Sequence, residues 1–131
     1  MAEWVELDIP FEEAPKGYRR FALAVSVKGT SHYLREAKAW INSSDLSLDL
    51  EREPHNEHDE NAIKVIGISK NIMGIKRRHI GYVDRYTATI DIGEYDLKRV
   101  KPTIHRIAVL KNFFGYTKAV SIVYDLHKKS Y

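Results

Sequence analysis

Residues Leu50 to Val65, LEREPHNEHDENAIKV, concentrate two histidines, two asparagines, an aspartate and four glutamates around one proline. These are the side chains of metal coordination and acid–base chemistry, so that chemistry is the first to weigh. His55, His58 and Asp59 carry suitable ligand atoms. Their spacing matches neither a histidine pair one helical turn apart nor a Cys2His2 pattern, and Pro54 disfavours a preformed helix. The D-x-D-x-D-G order of a calcium loop is missing too. Asp59 and Glu60 are adjacent, which usually sends two carboxylates in different directions and disfavours paired acid–base work. The chain holds no G-x-S-x-G, no P-loop and no dinucleotide fingerprint. The expectation is a non-enzymatic protein with no catalytic residues, no metal and no cofactor.

Binding of a polyanion fits the charge distribution better. Residues 1–15 contain five acids and no lysine or arginine, whereas Asn61 onward holds 14 basic residues against 5 acidic ones. In that basic half Lys76, Arg77, Arg78 and Arg85 can track phosphates. Tyr82, Tyr86, Tyr95, Phe113, Phe114 and Tyr116, with Tyr33 upstream, offer rings for base stacking. The competing reading is a solvated basic surface around an ordinary aromatic core.

The elements that would position these groups follow from periodicity. Phe21, Leu23, Val25 and Val27 alternate in a largely buried strand over Arg19 to Val27. Tyr33, Ala37, Trp40 and Ile41 give one short helix with Ser31 as N-cap. Leu46, Leu48 and Leu50 form a half-buried strand, and the polar stretch is the loop after it. Strands over Ala62 to Ile68 and within Ile72 to Val83 follow. A second short helix spans Asp84 to Ile92, with Asp84 as N-cap and Gly93 as stop. Two long strands, Val100 to Leu110 and Tyr116 to Leu126, join through NFFGY. Six or seven short strands with one or two small helices predict the all-β to α+β class, a small OB-like or SH3-like barrel or a strongly curved sheet.

Bulk properties set the frame. With 131 residues the chain fits one domain, expected at 18–131 behind an acidic leader at 1–17. The absence of cysteine excludes a disulfide framework and thiolate chemistry. No apolar run reaches the roughly 18 residues of a membrane span, and MAEWVELDIP lacks the regions of a signal peptide. A cytoplasmic location, on the nucleoid in a bacterium, with no membrane partner, is the expectation.

The pattern L-x-R-E-P-x-N-x-x-D-x-N-A-I-x-V, here at Leu50 to Val65, followed by I-G-Y-V at Ile80 to Val83 and a helix containing Ala88, closely resembles the HIRAN domain. Val27 to Thr30, V-K-G-T, resembles the opening of the same family, and the resemblance runs from Phe21 to Asp91. It implies a six-stranded barrel related to the OB fold with two short helices, and binding of single-stranded DNA at a free 3′-hydroxyl end. It further implies a partner protein, a helicase or nuclease, for any processing of that end.

Under this resemblance Asp59 falls on the aspartate that accepts a hydrogen bond from the terminal hydroxyl. A carboxylate is a strong acceptor there and repels a 3′-phosphate. His32, Tyr33, His58 and Tyr82 would complete the 3′-end pocket, with His32 and His58 departing from tyrosine. Arg85, with Lys76, Arg77 and Arg78, would meet phosphates, and Ser31 replaces an arginine of the family. Asn56 and Asn61 are expected to close the loop through backbone hydrogen bonds, and Arg52 to brace its carboxylates. Two alternatives keep the fold without this ligand: a protein-interaction module with a drifted pocket, and a generic polyanion binder. An acidic leader folded over the basic groove as a DNA mimic belongs to the first.

Overall fold

A computed structural model describes residues 2–129; Met1, Ser130 and Tyr131, the outermost residues of the expected leader and domain, lie outside the described residues. Among the described residues seven strands form two antiparallel sheets. One contains β1 (Glu3–Glu6), β2 (Tyr18–Ser26), β6 (Val100–Lys111) and β7 (Thr117–Lys129) in the order β1-β6-β7-β2; the other is β3 (Ser47–Arg52), β4 (Ile63–Asn71) and β5 (Gly74–Tyr82) in sequence order. One helix, α1 (Leu34–Ile41), follows a 3-10 turn at Thr30–Tyr33. No helix among the described residues is long and apolar enough to cross a membrane.

The two sheets face each other across one core. Alternation in β6 and β7 sends Val100, Ile107 and Val109, with Val120, Ile122 and Leu126, to the inside. The phase of β6 slips at a bulge between Ile104 and Arg106, which explains the spacing of three between buried Ile104 and Ile107. From α1, Trp40 is fully buried and donates its indole N–H to the Ile68 carbonyl at 2.9 Å. Its ring lies on Gly67, where a Cβ would come 2.8 Å from Trp40 Cγ. Only glycine lets the indole reach the β4 backbone.

Several expectations change. The expected six-stranded barrel is instead, among the described residues, an open pair of sheets with seven strands, and one isolated bridge, Lys28 to Tyr82, joins them near β2. The additional strand lies in the acidic leader: β1 pairs with β6, and Leu7 and Ile9 pack against the core. Ser31 does not cap a helix. Gly29 in the left-handed region (φ 76°) starts the 3-10 turn, and Ser31 sits inside it.

Leu23, expected on the inner face of its strand, is 59% exposed. Register shifts at Arg20/Ala22 and Ala22/Val25 break the alternation, with Ala24 at φ 50° and its N–H held by Asp125 Oδ1 at 2.8 Å. The segment after β5 starts as expected. Asp84 caps it through both carboxylate oxygens, accepting from the Thr87 N–H at 3.0 Å and the Thr87 hydroxyl at 2.7 Å. It then widens into a π-helical turn at Thr87–Ile92, closed by the Gly93 N–H on the Ala88 carbonyl.

Candidate functional site

The outer face of β3-β4-β5 is set by register. Glu51, Lys64 and Tyr82 stand in one row, and Asp49, Ile66 and His79 in the next. His79 and Tyr82 are three residues apart, so regular alternation would place them on opposite faces. A bulge in β5 opposite Val65 and Ile66 inserts one residue, turns Ile80 into the core and brings both rings to the same side.

Tyr33 reaches this face from the 3-10 turn. Its ring lies 4.1 Å from His79 and 6.0 Å from Tyr82, and His79 meets Tyr82 nearly perpendicularly at 4.8 Å. The two contacts to Tyr82 are edge-to-face, which suits aromatic quadrupoles, Tyr33 lies tilted on His79, and all three residues stay half-buried. Gly81 makes the approach possible. A Cβ there would lie 2.5 Å from the Lys28 carbonyl oxygen and from Val27 Cγ1. Without it the Lys28 and Tyr82 backbones exchange two hydrogen bonds of 2.8 Å.

A polar chain links these rings to the loop. Tyr82 Oη donates to Glu53 Oε1 at 2.8 Å, and Asn56 Nδ2 donates to the same oxygen. Asn56 Oδ1 then accepts from the backbone N–H groups of His58 at 2.8 Å and Asp59 at 2.9 Å. Asp59 Oδ1 accepts from the Asn61 N–H at 2.9 Å, while Oδ2 stands 3.6 Å from Arg85 Nε. The Asp59 side chain retains 24% exposure, enough for a ligand to reach it.

Protonation follows from these contacts. The bonds from Asn56 and then Tyr82 hold the Glu53 carboxyl below its ordinary range, with Lys64 Nζ 3.8 Å away adding to the effect. Burial, then hydrogen bonding with Tyr33 and with Glu53, pushes the Tyr82 hydroxyl up, so it stays a donor. Burial pushes His79 down, which keeps it neutral; its Nε2–H donates to the Gly81 carbonyl at 2.8 Å.

The fold brings together Tyr33 with Tyr82 and Asp59 with Arg85. His32 is exposed in the 3-10 turn and His58 is exposed on the loop; the imidazole that stands among the rings is His79. Sequence reasoning missed His79 because the bulge that turns it outward leaves no local signal. It also missed Glu53, whose position in the motif was read without a partner.

The basic patch is less free than its composition implies. Both terminal nitrogens of Arg77 lie 3.1 Å from Asp49 Oδ2, Arg78 pairs with Glu36 at 2.8 Å, and Lys64 lies 3.4 Å from Glu51. Lys76 is exposed. Arg52 does not brace the loop carboxylates; it donates to the Gly93 and Tyr95 carbonyls at 2.7 and 2.8 Å, tying the loop to the end of the π-helical turn. Asn56 closes the loop as expected, whereas Asn61 contributes its backbone N–H. Among the described residues no three His, Asp or Glu side chains converge on a metal position.

No curated protein and no solved structure matches the chain. The family model of the HIRAN domain matches residues 21–112, from the core of β2 through β6, and so takes in every site residue described above. The chain belongs to the HIRAN domain family.

Proposed function

We propose that the Tyr33–His79–Tyr82 face and the Asp59–Arg85 pair beside it bind a single-stranded DNA end through its free 3′-hydroxyl, without catalysis. Family membership supports the broader part, nucleic-acid binding. The observation that carries the finer part is the state of Asp59. One of its oxygens is fixed by the Asn61 N–H, the other faces Arg85, and the side chain stays 24% exposed on the loop that Asn56 and Glu53 tie to Tyr82. A carboxylate keeps acceptor capacity beyond one N–H and one cation, so a hydroxyl can join them. A 3′-phosphate would meet like charge.

In this reading the rings of Tyr33, His79 and Tyr82 receive the terminal bases, and Arg85 takes a phosphate. Tyr82 contributes ring surface, since its hydroxyl is held by Glu53. The held end is delivered to a helicase or nuclease partner. His32 and His58 flank the site as exposed groups.

The test is fluorescence anisotropy with a labelled single strand ending in a 3′-hydroxyl and the same strand ending in a 3′-phosphate, at two salt concentrations. The hydroxyl end binds more tightly, and Asp59→Asn, which removes the charge, reduces the difference between the two ends. Equal affinity for both ends in the native protein overturns the reading. Steep salt dependence without end preference leaves a generic polyanion binder. One observation favours a second reading, a protein-interaction module: Lys64, Arg77 and Arg78 are already engaged by carboxylates of the same chain. Absence of DNA binding at low salt supports it.

A further inference from the structure

We propose that the outer edge of β1 is a docking site for an extended basic segment of another protein, added as a new strand with the pattern lysine or arginine, apolar, apolar, lysine or arginine. β1 ends the four-stranded sheet, and no strand among the described residues pairs with its outer edge. It lies across the sheet from β2, whose end meets Tyr82 through Lys28, so three strand spacings of about 4.8 Å separate it from β2 and a fourth leads to the aromatic face.

The backbone groups on offer can be assigned. Leu7 N–H donates to the Ile107 carbonyl at 2.8 Å, which turns Leu7 towards β6. By antiparallel alternation Val5 and Glu3 turn the same way, and Trp4 and Glu6 present N–H and C=O outward. An open edge of this kind accepts an extended peptide through main-chain hydrogen bonds.

The side chains select the occupant. All four residues of β1, Glu–Trp–Val–Glu, are exposed, with Trp4 at 54% and Val5 at 38%. A strand laid beside them meets an acid, two apolar residues and an acid. The complement is a cation, two apolar residues and a cation, in either direction because the pattern is symmetric. A second copy of this chain fails the same test. Its β1 brings two further glutamates to the ladder and no cation to meet Glu3 and Glu6.

The nearest cations of the sheet, Lys111 opposite Glu3 and exposed Arg106, sit on β6, one strand further from the incoming segment. Neither makes an ion pair with β1 among the described residues. An open depression lined by Trp4, Glu6, Arg106, Ala108 and Ser121 has room for a side chain of the incoming strand. Glu3, Glu6 and Asp8 repel a polyanion, so this edge and the nucleic-acid face take ligands of opposite charge.

The test uses amide-resolved NMR on the full chain with a capped peptide containing lysine–valine–valine–lysine. Controls are the glutamate–valine–valine–glutamate peptide and the basic peptide N-methylated at alternate residues. The basic peptide slows hydrogen exchange at the Trp4 and Glu6 amides, and both controls lose at least about tenfold in affinity, or about 1.4 kcal/mol. The double variant Glu3→Lys with Glu6→Lys reverses the preference towards the acidic peptide. Binding unaffected by N-methylation, protection elsewhere on the chain, or no binding overturns the proposal. So does protection of Trp4 and Glu6 that rises with protein concentration alone, which identifies a second copy as the occupant.

Discussion

Tyr82 Oη donates a 2.8 Å hydrogen bond to Glu53 Oε1, the oxygen that also accepts from Asn56 Nδ2, and Asn56 in turn holds the backbone of His58 and Asp59. An aromatic ring on β5 is thereby coupled to a carboxylate on the loop through two intermediate side chains. Tyr82→Phe keeps the ring and removes the donor. Loss of a hydrogen bond to a charged group predicts a stability decrease of about 1–2 kcal/mol in chemical denaturation. The Glu53 pKa, followed by NMR titration, moves up towards the ordinary carboxylate value, since one of the bonds that lowers it is gone.

Gly81 predicts a larger effect. A methyl group there collides with the Lys28 carbonyl oxygen and Val27 Cγ1, both 2.5 Å from the ideal Cβ position. The two hydrogen bonds between Lys28 and Tyr82 lengthen or break, and with them the bridge between the sheets. Gly81→Ala is expected to lose about 3 kcal/mol, seen as a lowered thermal midpoint with greater amide exchange at Lys28 and Tyr82.

The ion pairs rank the basic residues as phosphate contacts. Arg85 is 77% exposed and shares one carboxylate oxygen at 3.6 Å, whereas Arg77 has both terminal nitrogens on Asp49 and Arg78 is held by Glu36. Salt titrations of single-strand binding should show Arg85→Ala lowering the slope of log K against log salt by about 0.7, one phosphate contact on a single strand. Arg77→Ala and Arg78→Ala change it by less. The reverse ranking would place the phosphates over the Asp49 and Glu36 side of the sheet.

Acid sensitivity follows from two histidines. His127 is 5% exposed, its Nε2 lies 2.8 Å from the Thr103 hydroxyl, and its buried Nδ1 has no hydrogen-bond partner. Burial pushes its pKa down, as it does for His79. The unfolded chain, with histidine near about 6.5, therefore takes up protons before the folded chain does. Stability is full above about 6.5 and falls as pH drops below it, until the folded-state groups protonate as well. Denaturation midpoints measured from neutral to mildly acidic pH should show this decline, and His127→Gln should make it shallower.

What the sequence determined by itself was what short-range chemistry enforces. The Asn56 turn, the Asp84 cap and the Gly93 stop join residues within five positions of one another, so each is specified by residue type and spacing alone. The same locality makes the family pattern visible at Leu50 to Val65. Charge segregation was legible too, but its consequence was not. Asp49 and Arg77 are 28 residues apart, and Glu36 and Arg78 are 42 apart. The tertiary structure alone decided that these arginines answer to carboxylates of their own chain. It also decided that the acidic leader supplies an edge strand, that the sheets stay open, and that His79 stands with Tyr33 and Tyr82. The ion pairs and the edge strand depend on which distant strands pair, and His79 on the bulge in β5, since a bulge or a register shift moves every following side chain to the other face. Where the shift occurs is set by contacts between strands, which periodicity along one strand does not encode.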